Sequence, residues 1–590
     1  MAIEHPAVDI VTIGGGMTAS IFAAKILPGT SHEMVSIEQG PAQWTYPDFA
    51  HNHDTLRYNN RYAMKQDLRK VSWTWRPNQN IPALPLRRYG MFHPGAGLGG
   101  AMVHWTGLTW RFLPEDFAYR SHNTERYGAH RIPEEMTVQD WPISYEDLES
   151  HYDAFEYDAG IAGRAGNIQG QIIEGGNPFE GPRQRPYPVP PLEWTAFGAL
   201  FDEAAKGLGL HPFPTPAGIL SEGYTDPYGN TRAACLYCGF CTRYGCEVGA
   251  KTSPLTTWLP PALDTGRYEV RTNSRVTEIT VADDGQATGV LYLDAEGQEH
   301  FQPAEVVVCS AFVLENVRLL MLSGGTAHPD GIGNDRGQLG RNYTYQINHT
   351  VTEGLWEDRT FNFYTGNGCT IPQIHDWNAD NFDHSDLDFL GGARMAPEGG
   401  QREPIDSIDG MMDEFVDRAW GEEWKDRLRR SWDSVGGITI EGDSPAYAGN
   451  FLDLDPTYTD DLGRPLLRLT FDWRDNERNM YRFLAQRGAE IMEAMGPDQM
   501  EVQDELPDFR IDEYQSTHPN GGAIMGADPG DSVTNSYGQV WDTPNVFVTG
   551  AALYPQNPGA NPTGTVGALA FRTAEAIRER YFNAPGELLE

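Results

Sequence analysis

The sequence predicts an α/β (α+β) fold built from two interleaved units, and three observations carry that prediction. A β-branched run near the start, Val8-Asp9-Ile10-Val11-Thr12-Ile13, breaks into three glycines and continues with helical character. A second apolar run, Met34-Val35-Ser36-Ile37, then follows and ends in an acid, Glu38. Far downstream, residues 267–308 alternate in the manner of a β-meander. The chain has 590 residues, enough for about two to four structural units. Apolar residues make up 39%, which supplies packed interiors and argues against long disorder.

In chain order, Val8–Ile13 reads as a buried strand, Gly14–Ala19 as a turn and Ser20–Leu27 as a helix. Residues 41–95 lack periodicity and are rich in Tyr, Trp, Asn, Arg and Pro, so they are expected to form a long excursion near a surface or cleft. Pro182, Pro186, Pro188 and Pro190 suggest an extended connector. The meander is expected in Tyr268–Arg271, Val276–Val281, Gly289–Leu293 and Glu305–Val308, with an apolar helix over Leu314–Leu322. Residues 340–505 mix strands with helical stretches at Met411–Trp432 and Asp475–Met495. The second of these takes Asp475 as its N-cap and stops at Gly496-Pro497. Gly567–Tyr581 reads as a final amphipathic helix.

Forty-four Lys and Arg face 83 Asp and Glu, a net charge of −39. Such a field repels phosphate backbones and anionic lipid, so nucleic-acid and membrane-surface partners are disfavoured. A basic partner such as a cytochrome and a merely solvated acidic surface both remain open. No basic segment precedes an apolar stretch at the N-terminus, and no apolar run approaches the roughly 18 residues of a membrane span. Neither a signal peptide nor a span is expected. Cytoplasmic residence is the default, with export beside a signal-bearing partner left open.

Gly14-x-Gly16-x-x-Ala19, between a strand and a helix, fits a dinucleotide-binding fingerprint. The first glycine permits the tight turn and the second admits the pyrophosphate to the helix N-terminus. Ala19 allows close helix–strand packing, and Glu38 is placed to accept from ribose hydroxyls. A second loop, Gly97-Leu98-Gly99-Gly100 running to His104-Trp105, offers exposed backbone to more of a cofactor, or is an ordinary turn with a core His-Trp pair. Near the C-terminus, His518 lies in Thr-His-Pro-Asn-Gly-Gly, and Asn561 precedes Pro562-Thr563-Gly564 at the start of the last helix. A histidine and an asparagine meeting at one hydroxyl suit alcohol oxidation, because imidazole takes the O–H proton while the carbon gives up hydride.

Together these motifs resemble the glucose–methanol–choline (GMC) family of FAD oxidoreductases, nearly end to end. The matching segments are 14–19, 97–107, Leu339-Gly340-Arg341-Asn342 and Ser516–Ala570. The tail from Thr517 resembles the branch of gluconate, fructose and sorbitol dehydrogenase flavoprotein subunits, and Gly99–Gly107 is similar to the loop of pyranose oxidases. The resemblance implies a Rossmann-type FAD-binding domain at 1–110, 225–340 and 505–590, interleaved with a sheet-plus-helices substrate domain at 111–224 and 341–504. It implies His518 as base, Asn561 as its partner and hydride transfer to flavin N5. It further implies Gly550, Ala551 and Thr563 beside the cofactor, and His104 as a candidate covalent flavin tether.

Four of the six cysteines fall in Cys235-x-x-Cys238-x-x-Cys241-x4-Cys246. An iron–sulfur cluster, disulfides or free thiols, and zinc all stay open, because the last gap departs from the ferredoxin run. The expected activity is oxidation of a CH–OH group of a sugar or glycoside to the ketone, with electrons passing to oxygen, a quinone or a cytochrome. The alternatives are a cluster-containing sugar or polyol dehydrogenase subunit and a redox-silent lyase on the same fold.

Overall fold

The β-branched run forms the Val8–Ile13 strand, and the chain leaves it through the glycines into the Met17–Ile26 helix. This structure is a computed structural model that describes residues 2–49, 68, 72–86, 95–400, 420–512 and 516–588. Met34–Ile37 lies parallel to the first strand, and Tyr268–Arg271 lies parallel to Met34–Ile37 on its far side. Glu299–Cys309 has two roles. Its first half pairs antiparallel with Ala287–Leu293, which pairs in turn with Arg275–Val281. Its second half runs between Val8–Ile13 and Val546–Val548, parallel to both. Val306, Val307 and Val308 are fully buried, as expected of a parallel strand covered on both faces.

The meander therefore starts one strand later than the alternation suggests. Asn273 adopts a left-handed φ of 52°, and the 273–274 turn donates to the Gly40 and Glu38 carbonyls at 2.9 and 2.8 Å. That turn separates Tyr268–Arg271 from the strands that follow it.

A second, antiparallel sheet runs in the order Ala393–Pro397, Val435–Gly442, Ile347–Leu355, Gln499–Val502. The Asp475–Met495 helix buries Met480, Leu484, Ile491 and Met492, with Gly488 against Val351 of the sheet. Its cap is Arg474 where the sequence suggested Asp475, because the Glu477 carboxylate reaches back to the Arg474 N–H at 3.3 Å. The helix ends at left-handed Gly496.

The stretch at 41–95 is more regular than its composition suggests. Trp73–Arg76 and Leu84–Pro85 complete a sheet with Pro465–Thr470 and Phe451–Thr459. Residues 50–67, 69–71 and 87–94 of that stretch lie outside the described residues, as do 411–419 of the expected Met411–Trp432 helix. Glu422–Ser431 of the latter is helical. The last helix begins at Thr563, where the Pro562-Thr563-Gly564 motif places it and ahead of the amphipathic stretch from Gly567, and widens into a π-helical turn at Ile577–Tyr581. Among the described residues, no helix is long and apolar enough to cross a membrane.

Candidate active site

The two glycine loops meet backbone to backbone. Gly14 has φ +104°, and a Cβ there would stand 2.8 Å from the Ser310 carbonyl oxygen. The Gly99 N–H donates to the Gly15 carbonyl at 2.9 Å, and Gly97 accepts from the Gly100 N–H at 2.9 Å. Gly100, at φ +61°, would place a Cβ 3.1 Å from the Gly16 Cα. Side chains are thus excluded from the seam. Ala19 is fully buried behind them. Glu38 accepts from the Gly15 and Gly40 amides, one on each carboxylate oxygen, both at 2.8 Å. Burial pushes its carboxyl up to about 7, against the pull of those amides.

A cavity of about 420 Å³ is lined both by this seam and by the C-terminal motif. Gly14, Gly16, Glu38, Gly100 and His104 belong to its wall, as do Gly550, Ala551, Thr563, His518 and Asn561. Gly97, Gly99 and Ala19, expected beside the cofactor, are not part of the wall. The Thr563–Ala576 helix points its N-terminus into the cavity through Pro562 and Thr563, which brings free amides and a partial positive charge there.

His518 is set in place by the glycines that follow it. Gly521 and Gly522 both adopt left-handed φ, and a Cβ on Gly521 would stand 1.9 Å from the Asn342 carbonyl oxygen. Thr344 pairs with Asn520, so this loop lies along 340–346. Asn561 depends on Gly564 in the same way, since a Cβ on Gly564 would stand 2.1 Å from the Trp110 carbonyl oxygen. That close approach lets Trp110 Nε1 donate to Asn561 Oδ1 at 2.8 Å.

The hydrogen bonds around His518 have a direction. Gln346 Nε2 donates to the Pro558 carbonyl at 3.2 Å, so Oε1 faces His518 Nδ1, 2.5 Å away, and Nδ1 carries the proton. Asn561 Oδ1 accepts from Trp110 and from the Arg394 guanidinium, so its Nδ2 faces His518 Nε2 at 3.4 Å. Nε2 is therefore the unprotonated nitrogen, and its lone pair faces the Asn561 NH2. Burial pushes the His518 imidazole down to about 4; Glu441 raises it and Arg394 lowers it. The arrangement can hold a neutral imidazole ready to accept a proton beside an amide that donates to the same oxygen.

Sequence reasoning missed Trp110, Gln346, Arg394 and Glu441. No local spacing marks them, because they come from distant segments that only the folded sheets bring together.

None of the six cysteines is in a disulfide. Cys235, Cys238, Cys241 and Cys246 all line one small pocket together with Lys251. Among the described residues, the ligand groups whose donor atoms lie within 4.8 Å of one another do not include any three of these cysteines. A zinc ion binding at about 2.3 Å would need its sulfurs closer than that. Backbone amides of Tyr237 and Lys251 approach the Cys235 and Cys246 sulfurs at 3.3 and 3.5 Å. The cysteine segment also contacts the His104 loop. Arg243 N–H donates to the His104 carbonyl at 2.8 Å, and Lys251 Nζ donates to the Trp105 carbonyl at 2.9 Å and the Cys241 carbonyl at 2.6 Å.

Two GMC oxidoreductase family models match residues 217–347 and 446–570. The chain is 39% identical to the gluconate 2-dehydrogenase flavoprotein of Pantoea cypripedii, over 100% of its length and 96% of that protein. It is 26% identical to the fructose dehydrogenase large subunit of Gluconobacter japonicus, covering 98% of this chain and 99% of the other. Identity to paromamine 6'-oxidase of Streptomyces fradiae is also 26%, covering 96% of this chain and 91% of that one. Pyridoxine 4-oxidase from Mesorbium loti has a similar fold, with a TM-score of 0.60 at 15% identity over 96% of this chain and 98% of the other.

Proposed function

The chain belongs to the GMC oxidoreductase family, and on that premise we propose that it oxidises a CH–OH group of a sugar, polyol or glycoside. The observation that carries this reading is the shared cavity, whose wall contains both the glycine seam with Glu38 and the His518–Asn561 pair. FAD fits the residues present: the seam admits no side chain, Glu38 offers carboxylate oxygens, and a helix N-terminus faces the cavity. FAD when bound supplies a two-electron acceptor for the hydride that leaves the substrate carbon. His518 Nε2 takes the hydroxyl proton, while Asn561 Nδ2 donates to the same oxygen and orients it. Gln346 keeps the proton on Nδ1, so the accepting nitrogen stays free of it. The product is a carbonyl compound. Oxidation of substrate by this route is tested by anaerobic mixing with a panel of sugars, polyols and glycosides. Bleaching of the flavin absorbance supports the reading, and a stable flavin that turns substrate over without bleaching indicates a lyase.

His104, only 3% exposed in the cavity wall, is the residue that would carry FAD covalently. If it does, His104→Ala converts FAD from acid-stable to acid-extractable. The cysteine pocket fits an iron–sulfur cluster better than zinc or disulfides, given four reduced thiols around one void and amides directed at two sulfurs. Cys235, Cys238, Cys241 and Cys246 would hold it, and it would supply a one-electron relay toward a quinone or cytochrome.

A further inference from the structure

We propose that Arg394, together with Trp110, is a positioning residue that fixes the Asn561 amide with its NH2 toward His518. The inference rests on the reading of His518 as base and Asn561 as its partner. Trp110 Nε1 and the Arg394 guanidinium both reach Asn561 Oδ1, and neither group can accept a hydrogen bond. A rotated amide would set its NH2 against two donors and its carbonyl oxygen against the His518 lone pair. One orientation therefore survives.

Arg394 is itself held from several sides. It lies in the Ala393–Pro397 strand directly across from Glu441, and the two side chains form an ion pair. Its guanidinium carbon stands 4.7 Å from the centre of the Trp110 ring. It also donates to Gln373 Oε1 at 3.3 Å. Gln373 has no freedom to turn, because its Nε2 donates to Thr215 Oγ1 at 3.2 Å, and that hydroxyl spends its proton on the Ile371 carbonyl at 2.6 Å. An unbroken series of directed bonds thus runs from Thr215 to His518. At 2% exposure, Arg394 is a fixed part of the second sheet reaching the base through Asn561. A lysine carries the charge but not the planar fork that serves Asn561, Glu441 and Gln373 together.

The test is the rate of flavin reduction under anaerobic conditions at about pH 8, where the base is neutral, for the holoenzyme and its R394M, R394K, W110F, N561A and R394M/N561A variants. We expect R394M to slow reduction by about tenfold or more with little change in substrate affinity, and R394K not to restore it. The R394M/N561A enzyme should be no slower than N561A, because Arg394 acts through that amide. Losses that multiply, or full rescue by lysine, would overturn the proposal. A crystal structure of W110F/R394M gives a readout independent of turnover. An Asn561 amide rotated away from His518 supports the proposal, and one that is unchanged overturns it. A wild-type flavin that no sugar, polyol or glycoside reduces would sink the underlying reading while leaving this structural outcome to stand by itself.

Discussion

The depressed basicity of His518 makes a quantitative prediction about pH. An ordinary imidazole titrates near 6.5, and burial moves this one down to about 4. A base must be unprotonated to act, so flavin reduction should hold its rate as the pH falls and fail only near pH 4. At about pH 5.5 an imidazole of ordinary basicity would be roughly 10% competent, whereas His518 would be almost wholly so, a difference of about tenfold in rate. The neighbouring charges set the sign of two variants. Glu441 raises the value and Arg394 lowers it, so E441Q should move the acid limb to lower pH and R394M to higher pH. The assay is stopped-flow bleaching of the flavin at saturating substrate between about pH 4 and 8, with the absorbance spectrum as a check that FAD stays bound. An acid limb near 6.5 in the wild type, or limbs that move the opposite way in the two variants, would refute the electrostatic argument.

His518→Ala should leave FAD bound and slow reduction by about 10²–10⁴-fold, measured in the same half-reaction; a loss under threefold would remove His518 from the mechanism. Asn561→Ala should cost less, since it orients and carries no proton. Gly564→Ala should destabilise the protein although alanine favours a helix by about 1 kcal/mol, because its Cβ would meet the Trp110 carbonyl oxygen at 2.1 Å and overpacking costs about 1–3 kcal/mol. Thermal denaturation reads the net sign. Cys238→Ser should lower iron and acid-labile sulfide in anaerobically purified protein and slow electron delivery to a one-electron dye while sparing flavin bleaching.

The parts of the fold that the sequence announces are those whose causes are local. Val8–Ile13 and Met34–Ile37 read as strands because parallel strands covered on both faces favour short, mostly apolar and β-branched runs. Asp475–Met495 reads as a helix because its apolar residues recur on one face and Gly496 stops it. Trp73–Arg76 escapes notice because four residues are too few for a period, and its partner, Pro465–Thr470, is almost four hundred residues away. The site divides in the same way. Gly14, Gly100, His518 and Asn561 sit in motifs that glycine geometry makes visible. Arg394 is an ordinary strand residue and Gln346 a single residue between two strands, and the importance of both lies in what they face. A lone Arg in Ala-Arg-Met-Ala-Pro gives no hint that it ends on an asparagine 167 positions later.

The placement of the cysteines bears on where the electrons go. A flavin that meets its oxidant directly needs only an opening in the cavity, and nothing then requires a second redox site behind the wall. Here the wall residues His104 and Trp105 are bonded through their own carbonyls to Arg243 and Lys251, which belong to the cysteine segment. The Thr106 and Thr242 hydroxyls add a third tie at 3.0 Å. Lys251 spans the joint, since its ammonium also binds the Cys241 and Tyr244 carbonyls at 2.6 and 2.7 Å. Burial pushes the Cys235 thiol up to about 11 and the Cys241 thiol well above its ordinary value, so these two would stay protonated and unreactive at neutral pH with the pocket empty. Four thiols outside any disulfide, one buried and three partly buried, lie beside a buried cation and next to the cavity wall, where they could serve as ligands. A metal centre would deprotonate them on binding, and the nearby ammonium would offset the negative charge they then carry. If the pocket holds a cluster as proposed, electrons would leave singly through the cysteine side of the wall, and dioxygen should then be a poor acceptor.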